Sequence, residues 1–297
     1  MINRLNSTVR ARLKRDRSGA AGAAGSLGTL TFFLLDNVSG FVNRFDPETM
    51  TGEVIASVPS STSSMIGFDQ ANQKVVLLRR SDGVGDTGFF TIDPDGENIT
   101  QLEWTDDDDT IIAGEFGQMV ILADPGPYLL WCNDNSRIRR ADWPSGANQD
   151  TRSTVNTYRD MDSHLSEGFL YVAAQTSGIR KIPFEGTGAS IIFDPGTVYR
   201  IRIDPDEGYI FYAETSTTPD AVKRADLDGG NQTTLFPLPN TSNVYQILEI
   251  DRINQRIYAI GGISPNKLYE YDYDGNELRT SAYSIGNCRS ITRGYVT

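Results

Sequence analysis

The sequence predicts an all-β fold: a six-bladed β-propeller of four-stranded antiparallel blades. The C-terminal strand closes the ring by joining the first blade, and a basic N-terminal arm precedes it. Three observations carry this expectation. An apolar tetrad recurs six times, starting at Phe33, Val76, Leu130, Tyr171, Phe211 and Tyr258, with spacings of 43, 54, 41, 40 and 47 residues. Each tetrad is followed by a loop, a second strand, and a turn rich in Asp, Gly and Asn. One strand is missing at the start of the series and one is surplus at its end. A repeat of this length with four strands is the pattern of propeller blades, which hide their apolar faces only by packing on each other.

Each element has its own justification. The strands that follow the tetrads include Phe41–Phe45, Phe89–Ile92, Ile138–Ala141, Ile179–Ile182, Val222–Ala225 and Leu268–Tyr271, several of which alternate apolar and polar residues. Period-2 alternation marks a strand with one buried face. The turns after them read DPETMTG, DPDGEN, DWPSGAN, PFEGTG, DLDGGN and DYDGNE. Asp, Asn and Gly supply the left-handed and side-chain-bonded conformations of tight hairpins. A further strand, such as Thr233–Phe236 or Ile99–Leu102, completes the unit. Upstream of most tetrads lies a strand ending in Asp: IGFD to Asp69, ILAD to Asp124, YRDMD to Asp162, YRIRID to Asp204 and ILEID to Asp251. The first unit lacks this strand, and CRSITRGYV after the last unit is placed to supply it. Such closure pairs an otherwise open sheet edge.

The best-defined units resemble the YWTD repeat of the low-density lipoprotein receptor family (class B repeats). Asp204-Pro205-Asp206-Glu207-Gly208-Tyr209-Ile210 leads into Phe211-Tyr212-Ala213-Glu214, and the unit continues as Val222-Lys223-Arg224-Ala225-Asp226-Leu227-Asp228-Gly229-Gly230-Asn231. Leu130-Trp131-Cys132-Asn133 with Ile138-Arg139-Arg140-Ala141-Asp142 is a second example. The acid of the motif is kept as Asp36 and Glu214, approximated by Asn133, and replaced by Arg79, Ala174 and Gly261; literal YWTD is absent. The resemblance implies a six-bladed propeller over residues 29–297 and a noncatalytic scaffold or protein-binding role.

The charge is uneven. The first 17 residues hold six bases and one acid, +5, so the remainder of this −12 chain carries −17. An acidic body disfavours nonspecific nucleic-acid binding, and attraction to an anionic partner belongs to the arm. Ile2, Leu5, Val9 and Leu13 form one apolar stripe at helical spacing, with Arg10 and Arg12 among the bases beside it. These six residues are the expected partner-anchoring set, and residues 1–28 are read as an arm and an Ala/Gly tether. The expected partner is another protein subunit of an assembly, a virion or a surface appendage. No apolar run approaches the ~20 residues of a membrane-spanning helix. The AAGAAGSLGTLTFFLL stretch lacks a small-residue cleavage site after its apolar run and is not read as a signal peptide.

Chemistry is sparse. His164 is the sole histidine, which excludes a His-based triad and a multi-His metal site; a turn or core position is favoured over a lone general base. Asp69, Asp124, Asp162, Asp204 and Asp251 are the candidates for a calcium-dependent hydrolase or lyase site of six-bladed type, against the simpler reading that Asp at a strand end bonds its own turn. Asp106–Asp109 falls in the longest spacing and reads as a solvated insertion. DPDGEN, DLDGGN and DYDGNE lack the distal Glu of a calcium loop and read as hairpins. Cys132 and Cys288 are expected as buried free thiols, with pairing left open. The expected function is a noncatalytic structural or protein-binding subunit without cofactor. The alternatives are the calcium-dependent enzyme and a free-standing extracellular ligand-binding module.

Overall fold

The computed structural model describes residues 28–36, 40–58, 65–79, 88–102, 104, 119–123, 127–133, 137–154, 158–174, 177–185, 188–215, 220–238, 247–261, 266–286 and 288–297. The arm residues Ile2, Leu5, Val9, Arg10, Arg12 and Leu13, the acidic run Asp106–Asp109, and Asp124 lie outside the described residues.

Among the described residues, twenty-four strands form six four-stranded antiparallel sheets. Blade 1 is ordered β24-β1-β2-β3, with β1 Thr29–Asp36, β2 Phe41–Asp46, β3 Thr51–Ser57 and β24 Cys288–Val296. Blade 2 runs β4 Met65–Asp69, β5 Lys74–Arg79, β6 Gly88–Ile92 and β7 Thr100–Gln101. Blade 3 runs β8 Met119–Leu122, β9 Tyr128–Asn133, β10 Arg137–Asp142 and β11 Asp150–Thr154. Blade 4 comprises β12 Tyr158–His164, β13 Phe169–Ala174, β14 Gly178–Pro183 and β15 Ser190–Phe193. Blade 5 comprises β16 Val198–Asp204, β17 Tyr209–Glu214, β18 Ala221–Asp226 and β19 Thr233–Pro237. Blade 6 comprises β20 Ile247–Asp251, β21 Arg256–Gly261, β22 Lys267–Asp272 and β23 Glu277–Thr280.

The closure expected from the surplus strand is present. β24 pairs with β1 from Thr29 opposite Val296 to Asp36 opposite Cys288. The tetrads occupy the second strand of every blade, where both sheet faces are covered: Phe32 through Leu35, Val75 through Leu78, and Phe211 through Ala213 are all buried. The core therefore lies between blades. Phe33 of blade 1 stacks on Phe68 of blade 2 at 5.2 Å, Phe32 meets Tyr258 of blade 6 edge-on at 4.7 Å, and Phe211 of blade 5 meets Tyr273 of blade 6 at 4.5 Å. Burying rings of this size supplies about 1.5–3 kcal/mol per side chain.

The Asp-Gly turns are hairpins. In DLDGGN, Asp226 N–H donates to the Gly230 carbonyl, Gly230 N–H donates to Asp228 Oδ1 at 2.8 Å, and the Asn231 amide donates to Asp226 Oδ2 at 2.6 Å. DPDGEN repeats this with Asp93, Asp95 and Asn98. The turns also press on the preceding blade. A Cβ on Gly96, whose φ is +92°, would lie 1.9 Å from the Ile55 carbonyl of blade 1. Gly229, at φ +88°, would meet Phe193 of blade 4 at 2.6 Å. Glycine is required there both for its left-handed backbone and for close approach.

Candidate functional site: the channel and its mouth

The innermost strand of each blade has one edge without a sheet partner, and those edges face the axis. Backbone N–H groups at a buried edge need acceptors. Side chains of the preceding blade provide them. Asp160 Oδ2 accepts from Ile201 N at 2.9 Å, Asp162 Oδ2 accepts from Ile203 N at 3.0 Å, and Ser290 Oγ accepts from Ile66 N at 3.3 Å. Two carboxylates thus stitch blade 4 to blade 5, and a serine hydroxyl stitches blade 1 to blade 2.

These carboxylates are held by arginines from other blades. Arg202 of β16 donates from Nε to Glu249 of β20 at 2.9 Å and from Nη1 to Asp160 of β12 at 2.8 Å. All three side chains are almost wholly buried. Arg293 of β24 donates to Glu249 at 2.7 Å and lies 3.6 Å from Asp162. Arg252, from the turn after β20, reaches Asp162 at 3.0 Å. Burial pushes the Asp162 carboxyl up, but Arg252, Arg293 and Arg202 together outweigh it and hold it at about 2. For Arg202, burial opposes the charge, yet Asp160 and Glu249 win and keep the guanidinium protonated. Burial lowers Arg252, and its neighbour Arg293 lowers it further.

A cavity of about 140 Å³ on the axis is bounded by every innermost strand. Asp162, Arg202, Glu249 and Arg293 form one wall; Phe68, Met119, Val120 and Ile121 from blades 2 and 3 form part of the other. Gly67 has no room for a side chain, because a Cβ there would lie 2.5 Å from Met119 Cγ.

Cross-strand register corrects the alignment of the strand-end acids. Asp69 lies opposite Lys74, Asp204 opposite Tyr209, and Asp251 opposite Arg256. The residue at this level in blade 4 is His164, opposite Phe169, because β12 runs two residues past Asp162. Asp162 sits level with Arg202 and Glu249 instead, opposite the first tetrad residue of its blade, and so belongs to the axial network. In blade 3 the corresponding residue is Leu122, opposite Tyr128.

The strand-end acids bond their own turns. Asp69 Oδ1 accepts from Ala71 N and Asn72 N, and Asp251 Oδ1 from Ile253 N and Asn254 N. Asp204 Oδ1 accepts from Asp206 N and Glu207 N. Two of them also receive an aromatic donor from the next blade: Trp143 Nε1 reaches Asp69 Oδ2 at 2.5 Å, and the Tyr273 hydroxyl reaches Asp204 Oδ2 at 2.9 Å. Among the described residues no three or more His, Cys, Asp or Glu side chains converge as a metal cluster. His164 is buried, 3.3 Å from Ser166 Oγ and stacked beside Tyr171 at 6.3 Å. Cys132 and Cys288 are buried thiols that form no disulfide with each other, and burial pushes the Cys288 thiol up to about 12. No helix among the described residues is long and apolar enough to cross a membrane.

Sequence reading missed the axial network. Its signal was there: Arg200 and Arg202 in YRIRID, Asp160 and Asp162 in YRDMD, and Glu249 in ILEID are charges on strands that ring geometry denies a solvent face.

Comparison with known proteins gives the fold alone. No family model matches the chain, and no curated protein matches it by sequence. The chain is similar in structure to a crystal structure of a nidogen/laminin complex, at TM-score 0.69 and 14% identity, covering 89% of this chain and 98% of that one. It is also similar to TolB of Acinetobacter baumannii, at TM-score 0.65 and 12% identity over 93% of this chain and 69% of the other. A proposed 6-phosphogluconolactonase of Bacteroides fragilis aligns at TM-score 0.56 and 11% identity over 91% of this chain and 99% of the other. The class is therefore the six-bladed β-propeller, with the nidogen/laminin and TolB structures among its structural neighbours.

Proposed function

We propose that this chain is a noncatalytic propeller that serves as a protein-binding subunit of a larger assembly, a particle or a surface appendage, attached through its N-terminal arm. One observation supports this above the rest: among the described residues, the carboxylates that an inner-strand enzyme site would use are already committed. Asp160 and Glu249 hold Arg202, Asp162 holds Arg252 and Arg293, and Asp69, Asp204 and Asp251 accept from their own turns. A general base or a hard-cation ligand needs a carboxylate that faces the reactant. The likeness to a chain of the nidogen/laminin complex supports a binding role. Residues 1–28 supply the attachment, with Ile2, Leu5, Val9 and Leu13 as the apolar stripe and Arg10 and Arg12 beside it.

The test is removal of residues 1–28, followed by pull-down and native mass analysis of the partner complex. Association is expected to disappear while the propeller keeps its melting temperature. Unchanged association overturns the anchor, and calcium-dependent lactone hydrolysis by the full chain overturns the noncatalytic reading.

A further inference from the structure

Two junctions between blades open on near-copies of one turn, and one of the two lacks a part. The turn after β4 reads Asp69-Gln70-Ala71-Asn72-Gln73-Lys74, and the turn after β20 reads Asp251-Arg252-Ile253-Asn254-Gln255-Arg256. Both fold alike. In each, Oδ1 of the Asp accepts two turn N–H groups and Oδ2 accepts the Asn side-chain amide, at 2.8 Å in the first and 2.6 Å in the second.

Where the residue that follows the third strand of the next blade is aromatic, it plugs the junction. Trp143 does so between blades 2 and 3, donating to Asp69, and Tyr273 does so between blades 5 and 6, donating to Asp204. Between blades 3 and 4 the strand-end residue is Leu122, and the plug is Phe184, which has no donor. At these three junctions plug and acceptor match in chemistry. Between blades 6 and 1 the acceptor is again an aspartate, Asp251, only 2% exposed, but the plug position after β2 holds Pro47. Proline has neither ring nor donor to offer. Among the described residues Asp251 accepts from its own turn alone. Where an indole or phenol would lie there is a groove of about 560 Å³, lined by Asp251, Ile253, Tyr258, Tyr295, Pro47 and Arg279. That volume falls in the range of roughly 300–1,000 Å³ typical of ligand pockets. Ile253, 52% exposed, forms an apolar rim where the equivalent residue in blade 2 is Ala71.

We propose that this groove receives a Trp or Tyr side chain of a partner protein, whose ring N–H or O–H donates to Asp251 as the Trp143 indole donates to Asp69. The proposal rests on reading the chain as a protein-binding subunit and names the residue type that the binding surface takes. The chain's own arm is not the donor, because residues 1–27 contain no Trp, Tyr or Phe.

The test titrates the full-length protein with N-acetyl-tryptophanamide, observed by saturation-transfer NMR. Its 1-methylindole analogue, which lacks the ring N–H, is the comparison. Saturable binding is expected, weaker by about tenfold or more for the methylated probe, since a hydrogen bond to a carboxylate is lost. Pro47→Trp supplies the missing ring in cis and is expected to abolish probe binding in a folded chain. Ile253→Glu, at the exposed rim, is expected to weaken binding severalfold. Absence of saturable binding, equal affinity for the two probes, or binding untouched by both substitutions overturns the proposal. If partner capture depends on residues 1–28 while the groove ignores the probe, the groove fails and the subunit reading stands. If the probe binds as described while no partner is captured by the full chain, the subunit reading fails alone.

Discussion

The two halves of the channel solve the same problem in opposite ways. Blades 2 and 3 fill their side of the axis with Phe68, Met119, Val120 and Ile121, while blades 4, 5 and 6 meet there through Asp160, Asp162, Arg202 and Glu249, joined by Arg293 of the closing strand. The apolar half depends on close packing, as the contact of Gly67 with Met119 shows. The charged half depends on every partner being present, because buried ions are costly unless paired and hydrogen-bonded. Strand β24 stands between them, contributing Thr292 and Arg293 on the axis and packing Gly294 against Phe68. A ring of near-identical blades therefore has a polar arc and a dry arc, and the difference comes from a few inner-strand positions.

Removing residues 286–297 takes out the strand that adjoins both halves and leaves the β1 edge open along its whole length. Cooperative melting is expected to be lost, as followed by calorimetry or circular dichroism; a truncated chain that melts like the intact one would refute closure by β24. Next in size is Arg202→Met. It leaves Asp160 and Glu249 buried without their shared cation, and should cost roughly 3–5 kcal/mol in denaturant unfolding. Its counterpart in the dry half, Met119→Leu, keeps volume and should cost less than about 1.5 kcal/mol. Equal costs would mean that the two arcs do not differ in kind.

A smaller effect separates the halves by pH. Asp162 is held at about 2, below its ordinary 3.8, so the unfolded chain binds a proton first as acid is added. The contribution is present above the unfolded pKa and is lost as pH falls through the folded one, worth roughly 2 kcal/mol between about pH 4 and 2. Denaturant midpoints measured across that window should fall more steeply for the wild type than for Asp162→Asn. Parallel curves would show that the Arg252 and Arg293 pairs carry no net stability.

The tetrads, the period, the Asp-Gly hairpins and the closing strand were all legible in the sequence. Each is a local pattern: alternation fixes which strand face is buried, and Asp, Asn and Gly fix where the chain turns. The turns carried a second meaning that the sequence hid, since Gly96 and Gly229 are also pressed against the outer strand of the neighbouring blade. Sequence reading also misjudged a level. It took Asp162 as the end of its strand, whereas two further residues place His164 there and leave Asp162 on the axis.

What only the tertiary structure decided are the pairings across blades. Asp162 and Arg252 are 90 residues apart, and Asp69 and Trp143 are 74 apart, so nothing in local spacing links them. The near-identical turns at Asp69 and Asp251 make the point most clearly. Their sequences determine the same local hydrogen bonds, but whether the carboxylate gains an aromatic donor depends on the residue that the next blade brings round, Trp143 in one case and Pro47 in the other. Local sequence determines strand and turn, because those bonds close within a few residues. The ring determines the site, because its contacts form only when blades of distant sequence meet face to face.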